Sequence, residues 1–177
     1  SSLDGRVTLT LPRGVVEEEA LAFAREKETW LRKHLSRREE DVQMGFGAVL
    51  PIEGTAREVI PERGRRVRLC SDCIEVPGPA HLAGKKRGAW LKGLARDRLV
   101  AASDHHAAQI GQSYARISLR DTRSRWGSCS TEGRLMYSWR LILAPPEVLD
   151  YVAAHEVAHL QEMNHSPAFW SVVEKLC

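Results

Sequence analysis

The sequence has 177 residues, of which 43% are apolar and 28% charged, and its formal net charge is +3. These proportions are close to the globular average, so they exclude a disordered, collagen-like or low-complexity chain. The charge is too small to indicate nucleic-acid binding by itself. No apolar run approaches the roughly 18 residues of a membrane-spanning helix, and no signal-peptide pattern opens the sequence. Four cysteines are too few for a disulfide scaffold. We therefore expect a cytoplasmic protein with reduced thiols and no membrane partner.

The order of predicted elements indicates an α+β fold. Apolar periodicity and turn residues predict a strand at 6–11, a helix at 16–35, a loop at 36–47, short strands within 48–80, a helix at 88–111, strands at 116–121, 124–130 and 133–142, a helix from 145 to about 163, and a last helix opened by Ser166 and Pro167. The turn at 131–133 predicts a hairpin. Strands and helices are partly segregated, which favours α+β over a doubly wound sheet. We expect one domain over 1–177, with a strand-rich N-terminal lobe at 1–83 and a core at 84–177.

The strongest chemical signal is the H-E-x-x-H sequence from His155 to His159. Residues four apart share one face of a helix, so both imidazoles can reach one zinc ion. Glu156 lies beside that face and not on it. There it can take a proton from a metal-bound water, as a general base does.

A catalytic zinc needs a third protein ligand, and His165 is the first choice. On a continuous helix His165 would face away from His159, so this choice requires the helix to end near Met163. Asn164, Ser166 and Pro167 favour such an end. Glu174, in the last helix, and Glu162, on the histidine stripe, remain alternatives.

Three segments resemble the YgjP-like metal-dependent hydrolases, a family related to SprT-like and minigluzincin metallopeptidases. They are RWGSCS at 125–130, WRLI at 139–142 and HEVAHLQEMNHSPAFW at 155–170. The resemblance implies zinc held by His155, His159 and His165, with Glu156 as catalytic base. It also implies a zincin-like fold in which the HExxH helix packs on a small antiparallel sheet. Members of that family are expected to begin before Ser1 and to continue past Cys177.

Arginines are concentrated just before the predicted zinc helix. Four of them are candidates for gripping an anionic substrate, namely Arg120, Arg123, Arg125 and Arg140. A solvated face is an equally good interpretation of these arginines. Trp126, in the same segment, is predicted to anchor the core.

The first functional hypothesis is therefore a zinc-dependent hydrolase of metallopeptidase type, acting on a peptide-like or another carbonyl or phosphoryl bond. The second uses the same metal site to release pyrophosphate from UTP, an activity that the resemblance also implies. The third is a non-catalytic, zinc-stapled module that binds nucleic acid, motivated by basic stretches at 57–68 and 85–98. Cys70 and Cys73 form a single C-x-x-C without a second pair, so the sequence predicts no metal site there.

Overall fold

The computed structural model describes residues 17–28, 45–122 and 124–177. The chain divides into two compact units, Ser1–Met44 and Gly45–Cys177. In the first unit the structure describes helix α1, Glu17–Glu26. The predicted strand at 6–11 and both ends of the predicted helix at 16–35 lie outside the described residues. Among the described residues, no helix is long and apolar enough to cross a membrane.

The second unit contains two sheets and three α-helices. Its elements are β1 Val49–Ile52, β2 Thr55–Glu62, β3 Arg68–Leu69, β4 Cys73–Pro77, α2 Ala80–Gln109, β5 Arg116–Arg120, β6 Gly127–Cys129, β7 Arg134–Ser138, a 3-10 helix Trp139–Leu143, α3 Pro146–Ala158 and α4 Pro167–Leu176. This arrangement confirms the α+β class. The single domain with a division at 83/84 stays a prediction, and 45–83 belongs to the same compact unit as the rest of Gly45–Cys177.

The first sheet has the strand order β1-β2-β4-β3. β1 and β2 form a hairpin whose two turn residues, Glu53 and Gly54, have φ angles of 51° and 73°. Positive φ at both positions is typical of a type I′ turn, which suits the twist of a hairpin. β2 and β4 are parallel, and β3 adds antiparallel to β4. Alternate side chains such as Val59 and Ile74 are fully buried, so one face of this sheet covers the core.

The second sheet has the order β5-β7-β6. The antiparallel pairing of β6 with β7 confirms the predicted hairpin, and Gly133 takes a φ of 69° in its turn. β5 and β7 are parallel, so the sheet is mixed and the expectation of a wholly antiparallel sheet is wrong. The chain after β5 first forms β6 and then returns as β7 in the middle, which places β7 in the same direction as β5.

Helix α2 begins eight residues before the predicted start. The buried stripe continues back through Leu91, Arg87 and Ala83 at four-residue steps, and Gly88 does not interrupt it. The predicted strand at 133–142 is also too long, because β7 ends at Ser138 and a 3-10 helix follows. Three buried side chains there, Trp139, Leu141 and Ile142, do not alternate as a strand requires.

Candidate metal centre

Helix α3 carries the first two histidines of the predicted site. It begins at Pro146, with Glu147 in its first turn, and its last α-helical residue is Ala158. The sequence predicted an end near Met163, which is wrong by five residues. Backbone N–H groups of Leu160 and Gln161 donate to the carbonyls three residues earlier, at 2.9 and 3.0 Å. These tighter bonds close the helix and turn the chain, so that His165 returns towards His155.

The three imidazoles converge. One ring nitrogen from each of His155, His159 and His165 lies within 4.8 Å of the others. The Nε2 atoms of His155 and His165 are 3.2 Å apart. Two nitrogens on one tetrahedral zinc ion are separated by roughly 3.3 Å, given zinc–nitrogen bonds of about 2.0–2.1 Å. The donor set therefore fits a zinc ion, and neutral imidazole is a donor that zinc prefers.

Hydrogen bonding and burial favour the protonation states of His155 and His159 that bind a metal ion. The Nδ1 atom of His159 lies 2.9 Å from the carbonyl oxygen of Glu162. A carbonyl can only accept, so Nδ1 carries the proton and Nε2 keeps its lone pair free. Burial lowers the pKa of both His155 and His159, and the neighbouring imidazoles lower it further. A lowered pKa favours the neutral form of an imidazole, which is the form that binds a metal.

Phe169 forms an apolar wall against all three histidines. Its fully buried ring has centroid distances of 4.9, 4.5 and 4.8 Å to His155, His159 and His165. Helix α4 positions it. Ser166 caps that helix by accepting a hydrogen bond from the Phe169 backbone N–H at 3.4 Å, and Pro167 follows at the first helical position. The predicted Ser166–Pro167 start is confirmed.

Glu156 lies next to the histidines and packs against strand β6. Its side chain is buried, with 6% relative exposure. A Cβ added to Gly127 would come within 2.6 Å of Glu156 Cγ and 2.7 Å of its Cδ, so the carboxyl group packs directly on the strand backbone. Burial raises the pKa of Glu156 to about 7, and the Arg125 charge opposes that rise. The carboxyl group can thus both accept and release a proton near neutral pH.

The close contact at Gly127 was missed in the sequence. Its only sequence signal is a glycine within a short strand, which often marks a close approach of two chain segments. Neither alternative third ligand, Glu162 or Glu174, belongs to the donor cluster found among the described residues.

The four candidate arginines are not equivalent. Arg125 is exposed and its charge acts on Glu156. Arg140 is paired with Asp121, with 2.7 Å between Nε and Oδ1, and its guanidinium lies over the Trp139 ring. Arg120 is exposed at the end of β5, and Arg123 lies outside the described residues.

The predicted role of Trp126 as a core anchor is wrong, because its side chain is 55% exposed. Its backbone carbonyl accepts a hydrogen bond from the N–H of Ser138 at 2.8 Å. The core instead takes Trp139, which the 3-10 helix turns inward.

Comparison with known proteins gives the family. The sequence profile described as "YgjP-like, metallopeptidase domain" matches residues 2–177. The chain belongs to the YgjP-like family. Membership confirms the resemblance seen in the sequence and identifies this YgjP-like protein as a metal-dependent hydrolase with a divalent metal as cofactor.

Other comparisons add less. No curated protein matches the chain. Among solved structures, this YgjP-like chain is similar to the metallopeptidase zymogen abylysin of Pyrococcus abyssi, with 23% identity and a TM-score of 0.41. The similarity covers 44% of this chain and 78% of that chain.

Proposed function

We propose that this YgjP-like protein is a zinc-dependent hydrolase of metallopeptidase type, with Glu156 as general base. The observation that carries the proposal is the juxtaposition of three converged imidazoles with a buried carboxyl group that packs against the backbone of Gly127. A structural zinc site has no need of a buried base beside it. The proposal includes the cytoplasmic location predicted from the cysteines, which cell fractionation would test.

His155, His159 and His165 would hold the zinc ion, His159 through the nitrogen that its bond to the Glu162 carbonyl leaves free. When bound, zinc would supply Lewis acidity, lowering the pKa of a water molecule and polarising the scissile carbonyl. Phe169 fills the space behind the rings. It restrains their tilt and excludes solvent from that side.

Glu156 would accept the proton of the attacking water and return it to the leaving amine. A carboxyl group with a pKa of about 7 is suited to both steps at neutral pH. The carboxyl group packs against the backbone of Gly127, which restricts its movement on that side. The base is therefore fixed before substrate arrives.

The surroundings favour a peptide-like substrate over a nucleotide. Two exposed aromatic side chains, Tyr151 and Trp170, lie beside the histidines. The ring centroids are 6.3 Å apart for Tyr151 and His155 and 5.8 Å apart for Trp170 and His165. Such rings suit apolar side chains of a peptide. Arg140, which would be needed to grip phosphates, is already paired with Asp121. UTP remains a second candidate substrate because Arg125 is exposed and its positive charge can bind a phosphate group. The role as a nucleic-acid-binding module stays a prediction.

The test compares Glu156→Gln with His165→Ala. We expect Glu156→Gln to keep the zinc content of the wild type and to lose at least about 100-fold in kcat/KM, since a general base contributes that much or more. His165→Ala should lose one equivalent of zinc together with its activity. Zinc is measured by elemental analysis, and activity by cleavage of casein-derived peptides and by pyrophosphate release from UTP.

The two variants separate the parts of the proposal. Full activity in Glu156→Gln would remove Glu156 from the mechanism. Unchanged zinc in His165→Ala would move the third ligand to Glu162 or Glu174. Pyrophosphate release without peptide cleavage would replace the peptidase by the nucleotide hydrolase.

A further inference from the structure

The β3–β4 hairpin brings together three side chains of the kinds that bind soft metals. The Sγ atoms of Cys70 and Cys73 and a carboxylate oxygen of Glu75 all lie within 4.8 Å of one another. All three residues are half-buried. None of them belongs to the elements that carry the histidines.

The alternation of the sheet explains this meeting. Ile74 and Val76 point into the core and are fully buried, so Cys73 and Glu75 lie on the opposite face of β4. On β3, Leu69 pairs with Ile74, and Cys70 follows it on the outer face. The backbone N–H of Cys70 donates to the carbonyl of Cys73 at 2.9 Å, which holds the two-residue turn and places the thiols opposite each other.

We propose that Cys70, Cys73 and Glu75 form a second metal site, for a thiophilic divalent cation such as zinc. Tetrahedral zinc with bonds of about 2.3 Å to sulfur and about 2.0–2.2 Å to oxygen holds two sulfurs roughly 3.8 Å apart and a sulfur and an oxygen roughly 3.5 Å apart. The three donor atoms already lie within 4.8 Å of one another, so small side-chain rotations suffice. The half-buried face leaves the fourth position to water.

The charges around the site agree with a divalent ion. Two thiolates and the Glu75 carboxylate bring three negative charges, of which the ion neutralises two. Arg68, the register partner of Glu75 on the same face, adds a positive charge beside the site, and Asp72 adds a negative charge near Cys73. Arg57 binds backbone carbonyl groups: it donates to the carbonyl of Cys70 at 3.0 Å and to that of Ile52.

The site has a structural consequence for the hairpin. Strand β3 has only two residues, so its own ladder contributes little to its stability. A metal ion bound by Cys70 on one side of the turn and by Cys73 and Glu75 on the other would join β3 to β4. The free energy of metal binding would then stabilise this edge of the sheet. The proposal does not depend on the hydrolase assignment.

The test counts metal on the full chain under reducing conditions. After chelation and dialysis, we expect wild type to take up one equivalent of zinc more than Cys73→Ser, whether or not the histidine site is also filled. With Co²⁺ as a probe, wild type should show thiolate-to-cobalt charge-transfer absorption, and Cys73→Ser should not. Cys129→Ser is the matched control and should behave as wild type. Glu75→Gln should weaken binding at this site by at least roughly 10-fold, since even outer-sphere partners of metal ligands have effects of that size.

Three results would overturn the proposal. The first is an equal zinc content in wild type and Cys73→Ser. The second is thiolate-to-cobalt absorption that survives Cys73→Ser, which would assign the signal to another cysteine. The third is a Cys70–Cys73 disulfide that forms in air at the same rate with and without zinc, which would make the pair a redox couple. The far-ultraviolet circular dichroism spectrum of Cys73→Ser shows whether the variant is folded.

Discussion

Arg125 is the charged side chain that opposes the effect of burial on Glu156. Replacing it by glutamine removes a positive charge near the carboxyl group, so the protonated form becomes more favourable and the pKa of Glu156 rises further above its ordinary value. A general base works only when deprotonated. The acidic limb of the pH profile of kcat/KM should therefore move to higher pH in Arg125→Gln.

The matched control is Arg134→Gln, because Arg134 is exposed and paired with Glu132 at 3.0 Å. Its acidic limb should coincide with that of wild type. An acidic limb that stays in place in Arg125→Gln, with a raised KM alone, would show that Arg125 binds substrate and does not influence the base.

At the level of elements, strand β6 packs against helix α3, and Gly127 lies directly against Glu156. Gly127→Ala would place a methyl group within 2.6 Å of Glu156 Cγ, a distance at which the Glu156 side chain must move away from its present position. We expect kcat/KM to fall by about 100-fold, the contribution of a positioned base, while the zinc content stays that of wild type. The measurements are steady-state kinetics and elemental analysis.

Ser128→Ala provides the control on the same strand, since it removes only a hydroxyl. It should retain activity within a few-fold of wild type. An active Gly127→Ala enzyme with normal kinetics would mean that the base has room to move, and Gly127 would then lose its positioning role.

Elements with a local signal were predictable, and those set by packing were not. The β6–β7 hairpin was predicted because its turn contains a glycine, and α4 because Ser166 and Pro167 form a cap. The end of β7 was missed because burial of Trp139 and its neighbours depends on what surrounds them. The start of α2 was missed because its buried stripe includes Arg87, a residue that periodicity analysis counts as polar.

At the scale of the whole unit Gly45–Cys177, the turn between β1 and β2 connects the first sheet to the segment that leads into helix α3. The backbone N–H of Glu53 donates to the carbonyl of Ile142 at 2.7 Å. Gly54 lies so close to Pro145 that an added Cβ would be 3.0 Å from its Cα, and its φ is 73°. Gly54→Ala should lower the free energy of unfolding by at least about 1–2 kcal/mol from the left-handed backbone alone.

Gly93→Ala is the control, because Gly93 lies inside α2 with nothing within 4 Å of an added Cβ. There alanine should be neutral or stabilising by roughly 0.4–1 kcal/mol. Urea unfolding of both variants gives the comparison. Equal free energies of unfolding for Gly54→Ala and Gly93→Ala would show that the turn at Gly54 does not contribute to the stability of the unit.

Only part of the candidate metal centre could be predicted from the sequence. The spacing of His155 and His159 brings two imidazoles together on any helix, so that part could be predicted. The return of His165 depended on where the helix ends, and the predicted end was five residues late. The contact of Glu156 with Gly127 joins residues far apart in sequence, and the exposure of Trp126 depends on the same strand. No local pattern contains such information.

The short span of the donor set has a consequence for folding. All three histidines fall within eleven consecutive residues, 155–165, so closing that loop costs little chain entropy. The contact between Glu156 and Gly127 instead joins residues 29 positions apart in the sequence, so it forms only after β6 has joined the sheet. Binding of a metal ion by the three histidines can therefore precede the packing of Glu156 against Gly127. The order of the two events would follow from how far apart in the sequence the contacting residues lie.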